Sequence, residues 1–241
     1  MNSIVANLIK VRTRIELAAL AAKREPEEIE LLAVSKTFPA TSIEEAMHAG
    51  QSAFGENYVQ EGVEKIVQLA KLRPWLVWHF IGPLQSNKTR EVAEHFDWVH
   101  SIDRLKIAER LSAQRGEFSD LADLQVCVQV NVSEEDSKSG IALAEAESLC
   151  AAISKLPNLV LRGLMAIPAP NPDPQVQRAA FLEVRDCFRH IQMAHLTDPG
   201  FQFFDTLSMG MSDDLESAIA EGSTMVRVGT AIFGKRDKIG K

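Results

Sequence analysis

Tyrosine is the rarest reactive side chain here: Tyr58 is the sequence's only one among 241 residues. Cysteine is nearly as scarce. Cys127, Cys150 and Cys187 are widely spaced and form no CxxC pair, which excludes a disulfide framework and leaves them as plain thiols. His190 and His195 do not share a helix face, so no zinc spacing arises and no metal is expected. No apolar run approaches the roughly 18 residues of a membrane-spanning helix. The start, MNSIVANLIKVRTRIELAAL, alternates apolar and polar positions where a signal peptide would be continuously apolar. The expectation is a cytoplasmic protein with no membrane partner. Cations are also in deficit. A formal net charge of -7 with scattered Lys and Arg disfavours a phosphate-backbone binder, so no nucleic-acid partner is expected. Without a secretory signal, the sequons Asn87-Lys88-Thr89 and Asn131-Val132-Ser133 are coincidental. GTAIFGK at 229–235 imitates a Walker A loop, but Arg236 replaces the required Ser or Thr and too little chain follows for the P-loop helix.

What is present is a regular alternation. Residues 1–23 carry Ile4, Leu8, Val11, Ile15 and Ala19 at helical spacing, an added N-terminal helix. From residue 31 short apolar runs alternate with helical patterns: LLAVS, AFG, WHFIG, WVHSI, LQVCVQVNV, LVLRGLM, FFDTLS and MVRVG each stand at a strand position. No linker or low-complexity stretch divides them. The pattern predicts an α/β fold, a single (β/α)8 TIM-type barrel over 31–234 within one domain of 1–241, with an open doubly wound sheet as the competitor. Ser42 with Glu45 and Asp213 with Glu216 have capping-box spacing, and Gly50 and Gly222 stand where helices should end.

Strand parity then assigns directions. Leu124, Val126, Val128, Val130 and Val132 share one face and should meet the helices, while Gln125, Cys127, Gln129 and Asn131 look inward. The same rule sends Val226 and Val228 outward and Arg227 into the barrel, where it needs a partner. In barrels of this kind the active site lies at the C-terminal ends of the strands. Those ends offer Lys36, Gly55-Glu56-Asn57, His79 with Gly82, Ser101, Asn131, Met165, Ser208-Met209-Gly210 and Arg227-Val228-Gly229-Thr230.

Lys36 is the only lysine directly at such an end. A partly buried amine beside cations favours its neutral form, which attacks carbonyls to make a Schiff base; the alternative is a lysine that clears the sheet and snorkels to solvent. The small-residue loops SMGMS and GT after the last two strands suit a backbone anion nest, and phosphate sites recur at that place in this architecture. An amine opposite a phosphate nest fits a sugar phosphate or pyridoxal 5'-phosphate (PLP). An inward Arg227 favours the second with its pyridine nitrogen left unprotonated, which makes a poor electron sink.

AVSKTFP at 33–39, FGENYVQE at 54–61, WHFIGPLQSNK at 78–88, HSID at 100–103, SKSGI at 137–141, LRGLMAIP at 161–168, LSMGMSDD at 207–214 and STMVRVGTAIFG at 223–234 closely resemble the pyridoxal phosphate homeostasis protein family. The resemblance covers the chain from its first strand to its end. It implies the barrel of the alanine racemase N-terminal domain with PLP held as an aldimine of Lys36. It further implies that Ser208, Gly229 and Thr230, beside Gly210, contact the phosphate and that Arg227 faces the pyridine nitrogen. Asn57 should lie near the cofactor, with His79, Met165 and Met209 as wall residues.

The family is known for holding and buffering PLP, so the expectation is a non-catalytic carrier that delivers the cofactor to apoenzymes. A racemase of this barrel type needs a second base, a tyrosine from an additional C-terminal domain of a partner subunit; Tyr58 reads as a helix residue and the chain ends just after the barrel, which also points to a monomer. The alternatives are a PLP-dependent amino-acid racemase or decarboxylase of narrow activity, and a cofactor-free aldolase acting through Lys36. Lys138, on the SKSG loop, is a candidate second lysine whose ordinary reading is a solvated side chain.

Overall fold

Eight parallel strands close on themselves in sequence order, β8 returning to pair with β1 through Glu30↔Met225 to Ala33↔Val228. The structure is a computed structural model and describes residues 3–132 and 139–234. Ser133, Lys138 and Lys235 of the readings above lie outside the described residues. The strands are β1 (Glu30–Val34), β2 (Ala53–Glu56), β3 (Val77–Phe80), β4 (Trp98–Ile102), β5 (Leu124–Val130), β6 (Leu159–Ala166), β7 (Thr206–Ser208) and β8 (Met225–Val228). The helices are α1 (Ile4–Ala21), α2 (Ala40–His48), α3 (Val59–Gln68), α4 (Thr89–His95), α5 (Leu105–Arg115), α6 (Leu143–Ile153), α7 (Pro174–Ala194), α8 (Leu215–Ala220) and the short α9 (Thr230–Phe233). This is the TIM-type (β/α)8 barrel that the alternation predicts, and closure rules out the open sheet.

Strand alternation divides the core in two. Leu124, Val126, Val128, Val130, Val226 and Val228 join the continuous layer between sheet and helices. Facing the axis are Leu32 and Val34 with Ala53, Ile81 and Met225, and separately Trp98 with Cys127 and Met165. Burial pushes the Cys127 thiol up to about 12, as befits an inert packing residue.

α1 buries Leu8, Val11, Ile15 and Ala19 and is fastened by polar contacts on both flanks. Asn7 Nδ2 donates to the Ile232 carbonyl at 2.8 Å, and Arg12 donates to the Ala49 and Gly50 carbonyls at 2.9 and 2.8 Å. These contacts correct the predicted capping boxes. α2 starts at Ala40 after an extended Pro39, which puts Ser42 inside the helix, and Glu45 instead accepts the Ile4 N–H at the head of α1. Asp214, not Asp213, is the residue before α8, and Glu216 is engaged by Arg14 at 2.8 Å. Gly50 and Gly222 do end their helices, with φ of +81° and +94°. Among the described residues no helix is long and apolar enough to cross a membrane.

Candidate cofactor-binding site

At the C-terminal mouth of the barrel a cavity of about 230 Å³ collects side chains from four sectors of the ring. β1 and the turn after it supply Val34, Lys36 and Phe38; the β2 and β3 ends supply Asn57 and Ile81; Ile167 follows β6. Met211, Ser212 and Asp213 follow β7, and Arg227, Gly229 and Thr230 come from β8 and its exit. A lysine, an arginine and two small-residue turns thus share one wall set, although they are spread over the chain from residue 36 to residue 230.

The turn bearing Lys36 is anchored at its far side by Phe38, whose ring meets that of Phe233 with centroids 5.2 Å apart. α9 is held from outside by the Asn7 contact to Ile232. The Ile232 and Phe233 N–H groups both donate to the Gly229 carbonyl at 2.9 Å, which closes the turn that puts Gly229 and Thr230 at the cavity edge. A Cβ added at Gly229 would come within 3.2 Å of the Val34 carbonyl oxygen, so glycine lets the strand ends close together here. Gly210 has φ of +93°, and a Cβ there would approach that of Ala218 to 2.5 Å. The turn after β7 therefore needs glycine both for its conformation and for its packing. Met211 N–H donates to Asp214 at 2.5 Å and Arg14 donates to the Ser212 carbonyl at 3.0 Å, fixing that turn from below.

Arg227 is 4% exposed, and parity does aim it inward. Its guanidinium donates to the Ser208 carbonyl at 2.6 Å, to the Ser208 hydroxyl at 2.7 Å and to the Ala166 carbonyl at 2.8 Å. Burial lowers its pKa to about 10, which leaves it cationic at neutral pH. The partner that a buried arginine requires is a set of neutral oxygens. From Ser208 a chain of hydrogen bonds continues down the axis: His100 Nδ1 lies 2.9 Å from the Ser208 hydroxyl, and His79 Nδ1 lies 2.9 Å from His100 Nε2. Burial brings His79 down to about 3, with Arg162 adding to it. His100 is pushed well below its ordinary value by burial, then by His79 and Arg227. Both imidazoles are therefore neutral, and the chain can align in only one direction at a time.

The sequence-derived residues separate into two groups. Lys36, Asn57, Arg227, Gly229 and Thr230 line the cavity together. Gly210 shapes the turn that carries Met211 and Ser212 to it. Ser208 is fully buried beneath, its hydroxyl engaged by Arg227 and His100. His79 stacks on Trp98 at 5.1 Å, Met165 packs with Trp98 and Cys127, and Met209 belongs to the outer, helix-facing layer. The cavity is lined instead by Ile81, Ile167 and Met211, each two residues further along the chain and beyond the last residue of its strand, whereas His79 and Met165 sit deeper, beside Trp98. Ser212 and His100 were visible in the motifs LSMGMSDD and HSID but had no assigned place; Ser212 follows the turn that Gly210 makes, which a strand-parity rule does not reach. Tyr58 stands before α3, 55% exposed, and is not among the residues lining this cavity.

The residues fit a ligand that joins an aldehyde, a ring acceptor and a phosphate. Asn57 Oδ1 is a buried acceptor without a partner among the described residues, and Asn57 lines the cavity. Lys36 offers a primary amine, Arg227 a fixed cation, and the two turns offer backbone donors and hydroxyls to an anion.

Comparison with known proteins gives a consistent picture. The family described as alanine racemase, N-terminal domain, matches residues 7–237. The pyridoxal phosphate homeostasis protein of Escherichia coli K12 is 56% identical over 238 residues, covering 98% of each chain. That of Pseudomonas aeruginosa is 55% identical, covering 98% of this chain and 97% of its own. Among solved structures, PipY of Synechococcus elongatus PCC7942 with PLP bound superposes with a TM-score of 0.83 at 38% identity, covering 96% of this chain and all of that one.

Proposed function

Since the chain belongs to the pyridoxal phosphate homeostasis protein family, we propose that it holds PLP in the cavity at the barrel mouth and acts in keeping the free cofactor in supply. The observation that carries this reading is the meeting of Lys36, Arg227 and the Ser212 and Gly229-Thr230 turns around one 230 Å³ cavity. Lys36 Nζ would condense with the cofactor aldehyde, forming a C=N bond and releasing the carbonyl oxygen as water; water reverses the same reaction, as storage and delivery to apoenzymes require. The two turns would take the phosphate, and Arg227 would face the ring nitrogen as a donor.

That last contact argues for holding over turnover. PLP supplies an electron sink when its ring nitrogen is protonated, and a cationic Arg227 facing that nitrogen would disfavour the protonation. Tyr58, the sequence's single tyrosine, is exposed and is not among the residues lining the cavity, which supports a reading without a second base. Ile167 and Thr230 at the rim are exposed, which supports exchange of the cofactor with solvent or a recipient.

The direct test is the absorbance of the purified protein with PLP. A long-wavelength band that borohydride abolishes is expected in the native chain and should be absent in Lys36→Ala of unchanged fold. A band that persists in Lys36→Ala overturns the role of Lys36. Incubation of amino acids in deuterated water should give no exchange of the α-hydrogen; turnover at a per-second rate would overturn the carrier reading.

A further inference from the structure

Lys36 stands outside the sheet ladder, in the turn between β1 and α2, and a flexible turn would leave its amine poorly aimed. Its two sequence neighbours are tied to one buried ion network. On one side Ser35 is fully buried; its hydroxyl donates to Glu56 Oε1 at 2.6 Å and its carbonyl accepts from Lys65 Nζ at 2.8 Å. On the other, Thr37 N–H donates to Glu61 Oε1 at 2.5 Å. Lys65 Nζ joins the two arms, donating to Glu56 Oε1 at 2.8 Å and to Glu61 Oε1 at 2.6 Å. The three protons of its ammonium are thus matched to three oxygens, every one of them leading to a residue adjacent to Lys36.

Two features make this more than a surface ion pair. Thr37 has φ of +69°, a left-handed conformation unfavourable for a β-branched residue, so something outside the turn must hold it. Lys65 and Glu56 are 5% and 0% exposed, and buried ionic groups of this kind are better attested as specifying a geometry than as adding stability. Two carboxylates share one ammonium, and Glu56 Oε2 has no partner among the described residues.

We propose that Lys65, with Glu56 and Glu61, positions the turn so that the Lys36 amine meets the cofactor aldehyde at the cavity. Lys65 acts through the residues on either side of Lys36 and is not among those lining the cavity, so it is a positioning residue. The inference rests on the reading of Lys36 given above.

The test separates alignment from binding by using two ligands on the full chain. PLP reports condensation through its borohydride-sensitive band, and pyridoxine 5'-phosphate, which has an alcohol in place of the aldehyde, reports binding alone. Lys65→Met and Glu61→Ala are compared with the native chain, the second variant sparing the fully buried Glu56–Lys65 pair in case the first does not fold. In both variants the condensation rate should fall, by on the order of tenfold or more, while the affinity for pyridoxine 5'-phosphate stays within about threefold of native, less than 1 kcal/mol. A native condensation rate in Glu61→Ala and in any folded Lys65→Met would overturn the proposal, as would a parallel loss of both ligands that tracks a fall in melting temperature. Failure of the underlying reading looks different: the native chain gives no band, or Lys36→Ala keeps it.

Discussion

Two serines four positions apart have different duties in this structure. Ser208 ends β7 facing the axis, where it accepts from Arg227 and meets His100. Ser212 follows the Gly210 turn and reaches the cavity. Removing the first hydroxyl takes an acceptor from the buried Arg227 and a partner from His100 Nδ1, so Ser208→Ala is expected to lower unfolding free energy by about 2 kcal/mol in a urea titration. Ser212→Ala should leave the melting temperature unchanged and weaken PLP binding by about 1 kcal/mol, roughly fivefold, in an equilibrium titration. Equal effects of the two substitutions on binding, with none on stability, would contradict this division. The distinction was out of reach of the sequence, where both serines stand in one small-residue run. Arg227 is the opposite case: alternation along MVRVG aims it inward without any knowledge of its neighbours, and its guanidinium is found on Ser208 and Ala166.

At the scale of elements, the barrel was legible because each strand carries its own short apolar run and each turn its own glycine or polar cluster. Helix starts were less so. Ser42 and Asp213 have the right spacing for capping, but Glu45 and Glu216 serve α1, a contact between residues 41 and 202 positions apart that no local pattern encodes. Close approach between elements is similarly hidden. A Cβ added at Gly82, just beyond β3, would lie 2.0 Å from the Asn57 carbonyl oxygen, so the β2 and β3 exits can meet only through glycine. Gly82→Ala must push the Asn57 backbone away, and is expected to destabilise the fold by about 3 kcal/mol and to weaken PLP binding through the displaced Asn57. Calorimetric melting and a PLP titration check both effects, and a variant that binds and melts as the native chain does would refute the close contact.

For the whole molecule, the buried imidazoles set a dependence on acid. His79 and His100 have folded-state pKa values below the ordinary one, His79 at about 3, so the unfolded chain binds protons that the folded chain does not. Stability should therefore be full above about pH 6.5 and decline as pH falls toward 3, with a slope of up to about 1.4 kcal/mol per pH unit for each imidazole. Urea unfolding between pH 7 and pH 4.5 should show this loss, and His79→Gln should flatten the slope by about half of the imidazole contribution. A flat profile in the native chain would mean that the two rings are not held neutral.

The same barrel that keeps these rings dry brings Lys36 to the mouth that Arg227, from the adjacent strand, also lines, and covalent capture at that one lysine is the centre of the account. Borohydride reduction of the protein with PLP, followed by proteolysis and mass mapping, tests it most directly. The expected result is a single reduced adduct on Lys36, stoichiometric with protein. An adduct on another lysine with Lys36 unmodified, or no adduct in protein that still retains PLP, would contradict it.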